Sequence, residues 1–323
     1  MRFLHTPLLS ILFAAFISLF CLQSTLIAQI GIEHFSTQNT GTNNLNDKDV
    51  RSSLVAKDGI IWGTSSNIVF RLEGETFATY PELGSIFNIF QDSQNRVWFV
   101  GNTNWIYEND EWRTTGISGF PSNLAGYSIC EDFENNIWVG AGDYFYKYDN
   151  EEWERYYAYG KKGESLTLSI LRYTDGSLFL GKEFHLIKWI KEDSIEEPIE
   201  LSSTYALTFD NNNNVYAGSK EGAHVFDGMN WKVFDFGNFE EDNYPTVYDI
   251  KVDSDDNILL ATSKGLFQVN GTEKTKIEEP QQNYSILEVF PTDEALYLAT
   301  SNGIRIYSKE NDSWTGYSTT DGL

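Results

Sequence analysis

Three lysines, Lys182, Lys220 and Lys264, each stand just beyond an apolar run that ends on a small residue, and Lys161-Lys162 precede the first of them. If those positions share one turn in consecutive units of the fold, their ammonium groups form a local basic patch able to receive a carboxylate or sulfate. Tyr144 and His185 fill a position that is Gly or Asn in most other units, a local departure of the kind expected at functional sites. Tyr157, Tyr159, Phe239 and Tyr244 lie in the longer connecting segments, where flat rings are free to stack on a sugar. These residue types suit recognition of a small extracellular ligand.

Turnover finds less support. Of the four histidines, His5 belongs to the leader segment, while His185 and His224 fall four and six positions after their respective small residues, so repetition does not bring them together. Cys130 sits beside Ile129 in an apolar run and reads as a core thiol. Asp253-x-Asp255-x-Asn257 has the opening of a calcium loop, but Ile258 takes the sixth position, where Gly is required. It reads as a turn. The sequence shows no phosphate loop, zinc-binding cysteine cluster or Ser–His pairing, so a non-enzymatic protein without metal or cofactor is expected.

The elements that would position these groups begin after a leader. Met1-Arg2 is followed by a nearly unbroken apolar stretch from Leu8 to Leu22, then by Ser24-Thr25-Leu26-Ile27-Ala28. Residues 1–28 read as a secretory signal cleaved after Ala28, giving a periplasmic or secreted protein with no membrane span once it is removed. An uncleaved anchor is the alternative, but spanning takes about 20 apolar residues and Gln23, Ser24 and Thr25 interrupt the run. Loss of Arg2 takes the formal charge of −24 to −25, a surface that repels nucleic acid and anionic membranes. Cys130 is then the sole cysteine, so no intramolecular disulfide forms.

Residues 29–323 carry one pattern seven times. Its anchor is the small residue at Gly63, Val100, Gly140, Gly181, Gly218, Ala261 and Ala299, at intervals of 37 to 43 residues. Each anchor ends an apolar run such as Ile137-Trp138-Val139-Gly140, which follows a polar turn such as Asp132 to Asn136. Before the turn comes an alternating strand, as in Val247-Tyr248-Asp249-Ile250-Lys251-Val252. After the anchor come a third strand and an outer one opened by Trp112, Trp153, Trp231 or Trp314, or by Phe77 in the first unit. A period near 40 with strand-like contents predicts an all-β fold, a seven-bladed β-propeller of four-stranded antiparallel blades. The small anchor lets neighbouring blades approach closely, and the Gly or Asn four residues later suggests a left-handed backbone there. All nine tryptophans fall on strand positions of the repeat, where inter-blade packing accounts for them.

The units resemble two-component regulator propeller repeats. Ile61-Trp62-Gly63-Thr64 and Ile137-Trp138-Val139-Gly140 carry the resemblance on the second strand, Thr262-Ser263-Lys264-Gly265-Leu266 on the turn, and Trp314-Thr315-Gly316-Tyr317-Ser318 on the outer strand. That family supplies periplasmic sensor propellers of Bacteroidetes hybrid two-component systems, here without a kinase or later membrane span, and the likeness implies a sensor domain for an extracellular ligand such as a glycan. A protein partner is the second implication, since related propellers act as scaffolds in type IX secretion and surface assembly. Streptogramin lyases are a third relative, without a matching histidine constellation. Ile32-Glu33-His34-Phe35-Ser36-Thr37 also resembles an outer strand, and Asp321-Gly322-Leu323 the lead-in to another repeat, as in a shortened relative of a two-propeller protein.

Overall fold

The computed structural model describes residues 52–64, 68–73, 76–115, 120, 124–157, 166–191, 194–195, 199–236, 243–270, 273–279, 284–301 and 303–317. They form seven antiparallel sheets in a ring, a seven-bladed β-propeller as the repeat predicts. The inner strands are Ser52–Val55, Ile86–Gln91, Ser128–Glu131, Thr167–Arg172, Thr204–Phe209, Val247–Val252 and Ile286–Pro291. Each pairs with a second strand: Ile61–Thr64, Val97–Gly101, Ile137–Ala141, Leu178–Lys182, Val215–Ser219, Ile258–Thr262 and Ala295–Thr300. Six blades have four strands. The outer edge of the fourth blade is split into Ser194–Ile195 and Ile199–Glu200, both paired with His185–Lys191.

The second strands are buried on both faces because each blade has a neighbour on either side, which is why they read as continuous apolar runs. The anchor residue sits where blades come closest. A Cβ built on Gly140 would lie 2.7 Å from Thr167 Cγ2, one on Gly181 2.7 Å from Thr204 Cγ2, and one on Gly218 2.7 Å from Val247 Cγ1. All three obstacles are the first residue of the next blade's inner strand, so even a methyl group would push the blades apart.

Aromatic side chains fill the seams. Trp62 of the first blade lies edge-on to Phe99 and Trp112 of the second, with centroids 5.2 and 5.7 Å apart. Trp138 of the third packs 5.3 Å from Trp189 of the fourth. Each such burial contributes roughly 2–3 kcal/mol, so packing between blades accounts for the tryptophans as the sequence suggested.

The turn from first to second strand repeats one geometry. Gly59, Asn95, Asn135, Gly176, Asn213 and Asp256 adopt φ between 63° and 84°, and an Asp, three residues earlier in four of these turns and one residue earlier in the two glycine turns, ties the loop together. In the third blade, Asp132 accepts hydrogen bonds from the Glu134 and Asn136 amides, the Asn136 side chain and the Trp138 indole.

The position four residues after the anchor departs from expectation. Gly222 and Gly265 have φ of 108° and 122°, but Asn104, Tyr144 and His185 do not adopt positive φ. Asn104 instead stabilises its turn through its side chain, which accepts from the Gly101 amide and donates to the Leu124 carbonyl. Tyr144 and His185 head ordinary third strands, Tyr144–Tyr148 and His185–Lys191, and break no backbone rule. Ser313–Tyr317 completes the seventh blade, so among the described residues neither end lends a strand to the other's blade. Ile32–Thr37 and Asp321–Leu323 lie outside the described residues.

Candidate functional site

Strand directions alternate within a blade, so the starts of the inner strands, the second-to-third turns and the inter-blade connections meet on one face of the ring. Of the lysines expected there, Lys220 and Lys264 are exposed, and Thr246 joins their turns: its hydroxyl donates to the Lys220 carbonyl at 3.1 Å while its carbonyl accepts the Ser263 amide at 2.9 Å. Lys182 is not part of such a surface. It is fully buried, with Nζ donating to the Asp143 carbonyl of the preceding blade at 3.3 Å, because its place at the end of a second strand is an interior one. Burial pushes its ammonium down to about 8 against the pull of Asp143 and Glu183. Lys161, Lys162, Tyr159 and Phe239 lie outside the described residues.

The rings divide in the same way. Tyr144 and Tyr157 meet at 5.6 Å, edge to face, with the Arg155 guanidinium 4.7 Å over Tyr144, on a surface where Tyr157 stays 40% exposed. Tyr244 packs 5.4 Å from Phe236 and lies against Gly222, within the seam between the fifth and sixth blades. His185 lies opposite Glu200 in the ladder of the fourth blade.

The structure adds a second cluster, at the mouth of the central channel. Five inner strands carry a bulge at the same place, leaving Phe87, Leu168, Tyr205, Tyr248 and Leu287 without a partner on the second strand. A bulge re-aims its side chain, and an inner strand has no further strand on the channel side. Tyr205 is 39% exposed between Thr204 and Ala206, which are buried. In the third blade Tyr127 takes the same place just before its strand. These rings form a collar. Phe87 and Tyr127 stack in parallel, 5.4 Å apart and 6° from coplanar, across the second and third blades; Tyr205 and Tyr248 pair at 6.2 Å across the fifth and sixth, on the other side of the ring.

One residue further along the inner strands lies a polar layer. Asp249 accepts the Val289 amide of the next blade at 3.1 Å and pairs with Lys251 at 3.1 Å. Lys251 remains 42% exposed although it lies on an innermost strand. Glu288 reaches Ser53 of the first blade, closing the ring. Burial and the nearby Asp249 push its carboxyl up to about 8, with Lys251 opposing. Sequence reading missed both layers, since a strand that alternates apolar and polar residues gives no sign of an inserted one. The one available signal was Phe, Tyr, Leu, Tyr, Tyr and Leu recurring one residue before the position opposite the anchor.

His224 lies on the third strand of the fifth blade, where desolvation pushes its imidazole down. Cys130 packs among Trp138, Ile170 and Tyr156, and burial pushes its thiol up to about 12, the behaviour of a core cysteine. Among the described residues no group of three His, Cys, Asp or Glu side chains is placed to share a metal ion, and no helix is long and apolar enough to cross a membrane.

No model of a known protein family matches the chain, and no characterised protein matches it by sequence. Solved structures do. A catalytically inactive virginiamycin B lyase from Staphylococcus aureus, bound to quinupristin, is similar at 14% identity and a TM-score of 0.63, over 80% of this chain and 94% of that one. PorZ, a surface component of the type IX secretion system of Porphyromonas gingivalis, is similar at 15% identity and 0.62, over 82% of this chain. The extracellular domain of BT4673 from B. thetaiotaomicron, described as a one-component system, is similar at 16% and 0.52, over 85%. This chain spans 47% of the length of each of the last two. Likeness at this level of identity extends to the fold, and the fold these proteins share with the chain is the β-propeller.

Proposed function

We propose that this chain is an exported, non-enzymatic propeller that binds an extracellular small ligand, a glycan in the first instance, on the face that carries the channel mouth. The observation that carries this reading is the collar: four aromatic rings re-aimed by bulges or strand ends toward a channel instead of into the inter-blade core, with charged side chains beneath. Flat rings beside hydrogen-bonding groups are what a sugar requires of its site. Export rests on residues 1–28, and two of the similar structures are an extracellular domain and a bacterial surface component. A glycan panel read by thermal shift tests the proposal. A selective rise in Tm that disappears in Tyr205→Ala supports it, and no response to any glycan removes the glycan reading.

A second reading, a protein-interaction scaffold, is favoured by Phe184, 57% exposed on a second-to-third turn of the same face. Large exposed apolar side chains mark interaction surfaces when they cluster. Partners that co-purify with the chain and are lost in Phe184→Ser, without any glycan response, would favour the scaffold.

A further inference from the structure

The chemical class of group that the channel mouth accepts can be argued from three features. Its collar carries aromatic rings, and a ring face attracts a cation held within about 6 Å. The layer beneath sets two carboxylates, Asp249 and Glu288, against the single ammonium of Lys251, and the hydrogen bonds divide unequally between the acids. Asp249 is satisfied by Lys251 and the Val289 amide, whereas Glu288 Oε2 is buried with no hydrogen-bond partner. The molecule as a whole carries a formal charge of −24, which draws cations toward it and repels anions. The basic patch that would have favoured an anion has meanwhile lost Lys182 to the interior.

We propose that the channel mouth binds a compact organic ammonium group, seated against the Tyr205–Tyr248 pair with its charge toward Glu288 and Asp249. This rests on the reading of the chain as a ligand-binding propeller and deepens it, by making a cationic nitrogen the recognised feature of the ligand. Binding is coupled to a proton. Burial and Asp249 keep the Glu288 carboxyl largely protonated at neutral pH in the empty protein, and a bound cation favours its carboxylate. Among the described residues the charged groups facing Glu288 are Asp249 and Lys251 of the sixth blade, and the first blade contributes the Ser53 hydroxyl. Affinity for a permanent cation therefore rises as pH rises from about 6 to about 9.

Calorimetric titration of the full chain with four probes tests this: choline, its uncharged isostere 3,3-dimethylbutan-1-ol, glucosamine and N-acetylglucosamine. Choline should bind at least about tenfold more tightly than the isostere, the difference that one or two cation–π contacts supply. It should also lose about tenfold in Tyr205→Ala/Tyr248→Ala and in Glu288→Gln, with thermal midpoints confirming that both variants fold. Glucosamine binding in preference to N-acetylglucosamine identifies an amino sugar as the source of the ammonium group; choline alone points to a quaternary amine. Equal affinity for charged and uncharged probes, binding unchanged in both variants, or no binding of any probe overturns the proposal. Neutral sugars that bind through the collar would defeat the ammonium inference while leaving the ligand-binding reading intact.

Discussion

The indole of Trp138 donates a 2.8 Å hydrogen bond to the carboxylate of Asp132, six residues back across the first-to-second turn of the third blade. The same pairing recurs as Trp98 to Asp92 at 2.7 Å and, with a phenol in place of the indole, as Tyr216 to Asp210 at 3.2 Å. One carboxylate thus closes the turn and fixes the ring that fills the seam.

Asp132→Ala strips that acceptor from two backbone amides, an amide side chain and an indole at once. A destabilisation of about 2–4 kcal/mol is expected, since hydrogen bonds to a charged group carry more than neutral ones. A loss of less than about 0.5 kcal/mol in the unfolding free energy from urea denaturation would show that the clamp is dispensable.

Acid should weaken the fold through the same turns. Burial raises the carboxyl pKa of Asp132, Asp175 and Asp253, but hydrogen bonds from Asn136 and Trp138, from Ser177, and from Asn257 outweigh it and leave all three below the usual carboxylate value. A depressed folded pKa means that the stabilisation is complete above the unfolded value, about 3.9, and is lost as pH falls through the folded one. Tm should therefore drop steeply below about pH 4, and replacing all three with Asn should flatten that drop.

Lys182→Met should leave the protein as stable or more so at neutral pH, by up to about 2 kcal/mol, because it removes a buried charge whose hydrogen-bond partner among the described residues is a neutral carbonyl. Its folded pKa of about 8 lies below the ordinary value of 10.5, so the unfolded chain binds the extra proton between them and wild-type stability climbs with pH across that interval. The climb should vanish in Lys182→Met. Loss of folding in this variant would mean that the lysine holds the third and fourth blades together.

Gly140→Ala should cost about 1–3 kcal/mol, with its methyl set against Ser128 Oγ, Thr167 Cγ2 and, at 3.0 Å, the Thr167 carbonyl. Adding Ser128→Ala should recover part of the loss but not all, because the next blade stays in the way. Complete recovery would place the constraint within one blade and not between two.

The seven anchors, the four strands and the inter-blade aromatics were legible because each is a local pattern repeated seven times, and repetition averages out exceptions such as Leu178-Phe179-Leu180 in the fourth blade. The site was much less legible. Lys182 looks like a turn lysine in the sequence, yet its strand runs one residue past the anchor and ends indoors. Tyr144 and His185 looked like substituted left-handed residues, but in their blades the turn is made elsewhere, at Gly142 with φ of 59° in the third. Collar residues such as Tyr205 and Tyr248 are called outward by a ladder irregularity that depends on how two strands pair. No single strand's alternation encodes that.

Each blade is folded from one uninterrupted stretch of chain, and the described residues show no strand handed across from the far end. Among the described residues, the gap between the seventh and first blades is bridged by side chains such as Glu288 and Ser53 and by no shared ladder of backbone bonds. A load applied at the two ends is predicted to open that gap before any blade unravels, and single-molecule stretching would register it as a first, low-force yield. The acid in that gap is also the one the proposed ammonium would meet, so an occupant of the channel is expected to brace the ring there.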